Sequence, residues 1–112
     1  MAQLPVLPLY PERLLGDTRY MSAEEFGAYC RILFVMWLQG ARLPNDAEEL
    51  ARIAGVPLWR WKKIRERVMR PLTVVNGVVS QKRLSATWLD VQEVRKKRAA
   101  AAATRWRAKA MH

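Results

Sequence analysis

The spacing of apolar residues shifts along the chain, and each shift predicts an element. Residues 1 to 21 have no period. Pro5, Pro8 and Pro11 stand among leucines, a valine and tyrosines. Prolines break regular structure, and the apolar content is too high for a free tail, so an extended arm packed on a body is expected. From Ser22 the period becomes helical, with Phe26, Tyr29, Cys30, Leu33, Met36 and Trp37 on one stripe. Ser22 and Glu25 form a capping box at its start, and Gly40 is its natural stop. Ile32, Phe34, Val35 and Leu38 make its second half apolar nearly all round, which predicts burial on several sides.

Leu43-Pro44-Asn45-Asp46 reads as a turn, with Asn45 or Asp46 capping a second helix that ends near Ala54. Gly55-Val56-Pro57 is a tight turn, and a third helix covers about residues 58 to 69. Leu72 to Gln81 then reads as strands. Asn76-Gly77 between valine pairs predicts a two-residue type I′ hairpin, because that turn needs positive φ at both central positions. The turn sets Val75 opposite Val78, Val74 opposite Val79 and Thr73 opposite Ser80. Val74 and Val79 are expected to face the core. A final helix begins near Lys82, with Leu84, Trp88 and Val91 on one stripe. Beyond Val94 the apolar period fades into a basic, alanine-rich helix or tail.

This order predicts a mainly α fold with a small β-hairpin, arranged as a winged helix-turn-helix over residues 22–94. An extended N-terminal arm (1–21) would precede it and the basic segment (95–112) would follow. Ala51 lies four residues before Gly55, which suits two helices crossing closely with a positive φ in the turn. Leu50, Ala54, Val56, Trp61 and Ile64 then fall in the core such a pair shares.

Charge sharpens the functional reading. The chain has 112 residues, 51% of them hydrophobic, and a net charge of +10. One domain with a real core fits that length, and a polyanionic partner fits that surplus. Residues 1–57 carry five basic side chains against seven acidic, whereas residues 58–112 carry fifteen against three. On the third helix, Arg60, Lys63, Arg67 and Arg70 lie opposite Trp61, Ile64 and Val68, with Trp59, Lys62 and Glu66 flanking them. Glu66 is the only acid in that helix, so the stripe is expected to face outward toward DNA. Lys82 and Arg83 are placed to meet phosphates beside the wing. In the tail, Arg95, Arg98, Arg105 and Lys109 recur at helical spacing, and Arg95-Lys96-Lys97-Arg98 form a cluster suited to a phosphate backbone.

Other chemistries find little support. One cysteine and one histidine, Cys30 and His112, exclude a disulfide scaffold and a Cys/His metal site. There is no Walker loop, HExxH or GxSxG, so neither an enzyme nor a cofactor or metal is expected. Cys30 reads as a small core residue. The acids of the first half sit mostly in caps and first turns, and their structural role suffices. The longest apolar run, Ile32 to Leu38, is far below the ~20 residues that span a bilayer. No targeting segment is visible, so a cytoplasmic protein with no membrane partner is expected.

Several motifs also resemble a known family. Pro8-Leu9-Tyr10-Pro11, Gly16-Asp17-Thr18, Ser22-Ala23-Glu24-Glu25 and Gly27-Ala28-Tyr29 are similar to the start of the YdaU-like domain of phages and prophages. Leu43-Pro44-Asn45-Asp46, Leu50-Ala51-Arg52-Ile53-Ala54, Gln81-Lys82-Arg83-Leu84 and the late Arg105-Trp106 fit the same pattern. Departures are Glu12-Arg13, where a Gly-Asp pair is usual, and Pro71-Leu72, where aromatics are common. The resemblance implies an N-terminal winged-helix module associated with phage replication initiation in a bacterial host.

The expectation is therefore a duplex DNA-binding protein of phage or prophage origin, acting in replication initiation. Its contacts would come from Trp59, Arg60, Lys62, Lys63, Arg67, Arg70, Lys82, Arg83, Arg95, Lys96, Lys97, Arg98 and Arg105. A phage or host replication protein and a second copy of the chain are the further partners considered. The alternatives are a phage transcriptional regulator and an adaptor that docks a host protein through the apolar first helix.

Overall fold

Side-chain caps set where the central helices begin. The computed structural model describes residues 6–110, which form five helices and three short strands. In order these are α1 (Pro11–Thr18), α2 (Ala23–Leu38), β1 (Arg42–Pro44), α3 (Ala47–Ala54), α4 (Leu58–Met69), β2 (Thr73–Val75), β3 (Val78–Ser80) and α5 (Lys82–Ala110). At α2 the Ser22 side chain accepts the Glu25 N–H at 3.2 Å, and Glu25 Oε1 accepts the Ser22 N–H at 2.7 Å. This is the expected capping box. At α3 the Asp46 carboxylate accepts the N–H groups of Glu48 and Glu49. Gly55 ends α3 at φ +78, and the Arg31 guanidinium occupies the space a Cβ there would need.

The strands form an antiparallel sheet in the order β1-β3-β2. The hairpin register is the expected one, with Thr73, Val74 and Val75 opposite Ser80, Val79 and Val78. Asn76 and Gly77 both have positive φ, as a type I′ turn requires. The core is built from α2, α3 and α4 and closed by single residues of the sheet and α5. Tyr29, Ile32, Met36, Leu50, Trp61, Val68 and Val79 are at its centre, and Leu43 and Leu84 seal its edges.

Three expectations are corrected. The arm is not extended throughout, because Pro11–Thr18 is helical. Proline at the first helical position loses no hydrogen bond and presets φ, so Pro11 starts a helix instead of preventing one. Leu7 and Leu14 pack against the core, and Thr18 bonds back to the Leu14 carbonyl at 2.7 Å. Pro5 and the first four residues lie outside the described part. The turn expected at residues 43–46 begins as β1, where Leu43 pairs with Val79 and is buried. Pro44 is tolerated because β1 is an edge strand. Val74 faces the same side as Val79 but is 45% exposed, since β2 lies at the outer edge of the sheet, beyond the core. The second half of α2 is buried on several sides, as expected, through Ile32, Leu33, Met36 and Trp37, while Phe34 is 43% and Leu38 58% exposed.

The basic segment is a helix as far as Ala110, continuous with the helix that starts at Lys82. Gln81 bonds to Tyr29 and the Trp88 ring meets Trp37 edge-on at 5.0 Å, so α5 runs parallel to α2. At ~1.5 Å per residue α5 is about 44 Å long. It outlasts α2, and every residue from Glu93 to Ala110 is exposed. The described chain measures 65 × 29 × 24 Å.

Candidate nucleic-acid interface

Trp61, Ile64 and Val68 of α4 are buried, which fixes the rotation of the helix. Arg60 and Arg67 consequently lie on its flank, where the start of α2 packs. Arg60 Nη2 reaches Glu24 Oε1 at 2.6 Å, with Nε on the same carboxylate. Arg67 Nε reaches Glu25 Oε2 at 2.9 Å. Arg67 also donates to the Tyr20 carbonyl, and the Tyr20 hydroxyl donates to the Arg67 carbonyl at 2.6 Å. The carboxylates missing from the sequence of α4 are thus supplied by α2.

Local electrostatics agree with this geometry. The hydrogen bond from Arg60 holds the Glu24 carboxyl below its ordinary range, and the same bond raises Arg60. Glu25 is lowered chiefly by the Ser22 backbone N–H and then by Arg67. Arg67 is therefore tied into a node of Tyr20, Ser22 and Glu25 and does not stand free on an open face. This corrects the expectation of four outward cations: Arg60 and Arg67 face α2.

The outward side of α4 carries Trp59, Lys62, Lys63, Glu66 and Arg70. Trp59 is 62% exposed, with Lys63 Nζ 5.5 Å from its ring centre. Lys62 is exposed. Arg70 lies over the Tyr20 ring at 4.7 Å and 4.0 Å from Glu66. Arg65, absent from the expected set, is also exposed. Beside the β2–β3 hairpin Lys82 is exposed, whereas Arg83 is paired with Asp17 of α1 at 3.1 Å.

Arg95, Lys96, Lys97, Arg98 and Arg105 all lie on the projecting half of α5, joined there by Arg107 and Lys109. No acid follows Glu93. The partners missed by sequence reasoning are Asp17, Tyr20, Glu24 and Glu25. Glu24 and Glu25 showed only a capping and first-turn signal and Asp17 and Tyr20 none, and nothing local points to partners 36 to 66 residues away.

Burial pushes the Cys30 thiol up and the Tyr29 hydroxyl up to about 12, and Gln81 Nε2 donates to that hydroxyl at 2.7 Å. Both groups therefore stay neutral at physiological pH. Among the described residues no cluster of three or more His, Cys, Asp or Glu could hold a metal ion. No described helix is long and apolar enough to cross a membrane.

A family model described as a protein of unknown function, DUF1376, matches residues 5–87. The chain belongs to the DUF1376 family. The match runs from the N-terminal segment through the caps, the α3–α4 pair and the hairpin into the first turns of α5. The projecting half of α5 lies past it. A relative, "Uncharacterized protein YdaU" of Escherichia coli (strain K12), is 41% identical over 64 residues. That alignment covers 57% of this chain and 22% of the relative. The YdaU-like resemblance read from the motifs is therefore sound. No solved structure matches the chain.

Proposed function

We propose that this chain is a winged helix-turn-helix module that binds duplex nucleic acid. The observation that carries the reading is the seven cations from Arg95 to Lys109, with no acid among them, on a helix that leaves the body. An unneutralised row of this kind releases counterions from a phosphate backbone. The element order α2-β1-α3-α4-β2-β3 supports the winged arrangement, with Gly55 in the turn of the α3–α4 pair and β2–β3 as the wing. On α4 the available contacts are Trp59, Lys62, Lys63 and Arg70, while Arg60 and Arg67 set the angle between α4 and α2. The YdaU-like resemblance suggests replication initiation in a phage or prophage as the setting. Transcriptional regulation uses the same binding chemistry.

The test is a titration of labelled duplex at several salt concentrations. With about five phosphate contacts, log K should fall with log salt at a slope of about −4 to −5. A second reading has its own observation: Phe34 and Leu38 are exposed apolar side chains on α2. A protein docked there would bind with little salt dependence and a negative heat-capacity change. Absence of duplex binding at low salt would reject the nucleic-acid reading.

A further inference from the structure

The apolar stripe of α5 does not end where its core contacts end; it changes chemistry. Leu84, Trp88 and Val91 point at the body. At 100° per residue, Arg95, Arg98, Arg105 and Lys109 all fall within about 70° of that stripe. Lys96, Lys97 and Arg107 fall more than about 110° away. α2 ends at Leu38, one residue beyond the Trp37 that meets Trp88, so the body offers nothing for the stripe to bury against farther on. The positions where the core-facing side would continue are basic, with Ala102 between Arg98 and Arg105.

We infer that the projecting half of α5 holds a phosphate backbone on its body-facing side, in the corner between this helix and the end of α2. The inference rests on the nucleic-acid reading above and gives it a face. An overhanging helix that needed only solubility would mix acids with its bases, gaining i,i+4 pairs all round. This one leaves Arg95-Lys96-Lys97-Arg98 mutually repelling, a cost that a polyanion relieves. From Arg95 to Lys109 the cationic row spans about 21 Å. The alanines at 99 to 103 leave its middle slim enough for a backbone to approach closely.

Two variants of the full chain test the inference with equal loss of charge. One is Arg95→Ala, Arg98→Ala, Arg105→Ala, and the other is Lys96→Ala, Lys97→Ala, Arg107→Ala. Every position is exposed and alanine favours helix, so both variants should keep the parent's circular dichroism and Tm. The probe is a random-sequence duplex oligonucleotide, with anionic phospholipid vesicles as a second arm. The body-facing triple should lower the salt slope by about 2.7, at 0.9 per phosphate contact, and weaken binding about tenfold more than the other triple. Equal losses in the two triples, or the larger loss in the second, would overturn the body-facing placement while leaving duplex binding intact. A parent chain that binds the vesicles and not the duplex would overturn the functional reading itself.

Discussion

At the residue scale, Arg67 gives its Nε hydrogen to Glu25 while its own carbonyl accepts the Tyr20 hydroxyl. An arginine held at both ends in this way ties two helices together. Arg67→Ala should therefore lower stability by about 1 kcal/mol in a urea melt, the charge-assisted bonds being discounted for exposure. Lys63→Ala should leave the melt unchanged and weaken duplex binding. Melts and titrations of the two variants, run side by side, check both statements. Glu25 adds a pH dependence. Its folded pKa is lowered, so its stabilisation is complete above the ordinary carboxylate pKa and is lost as pH falls through the folded value. Stability should hold near neutrality and decline below about pH 4. Glu25→Gln should flatten that decline.

At the element scale, the α3–α4 turn and α5 behave oppositely. Gly55 combines positive φ with the Arg31 guanidinium in the place of a Cβ. Gly55→Ala should cost about 1–2 kcal/mol, through backbone strain and displacement of Arg31. Trp61→Ala, at the centre of the core, should cost about 3–5 kcal/mol. By contrast, removing residues 95–112 takes away nothing that packs among the described residues. The Tm should barely move while duplex affinity falls for all sequences alike, and the salt slope shrinks with it. A thermal melt of the truncated chain is the decisive measurement, because a large drop would mean that α5 is a packed element to its end.

At the scale of the whole molecule, charge and shape are separated. The compact part, through α4 and the hairpin, neutralises much of its own charge: Arg60 with Glu24, Arg67 with Glu25, Arg83 with Asp17 and Arg52 with Glu49. The surplus sits on the helix that extends from it. The long-range field should therefore come mainly from α5, and association with duplex should accelerate steeply as salt is lowered. Stopped-flow association rates of the full chain and of the chain without residues 95–112 should differ most at low ionic strength.

The local signals in the sequence were strong enough to determine several features alone. The Ser22–Glu25 box, the Asn76-Gly77 hairpin with its register and the Ala51–Gly55 spacing rest on short-range signals and are found as expected, and of the two caps offered for α3, Asn45 or Asp46, the structure uses Asp46. The basic segment, left open between helix and tail, is helix as far as Ala110, in line with the helix propensity of alanine and arginine. Only the tertiary structure decided which cations are available. Rotation of α4 is set by burial of Trp61, Ile64 and Val68, and that rotation turns Arg60 and Arg67 toward acids 36 and 42 residues away. It likewise took packing to draw Leu43 into a strand and to leave Phe34 and Leu38 uncovered. Periodicity shows that a face is apolar or charged. What lies opposite that face depends on how distant segments share one core, and spacing along the chain carries no record of it.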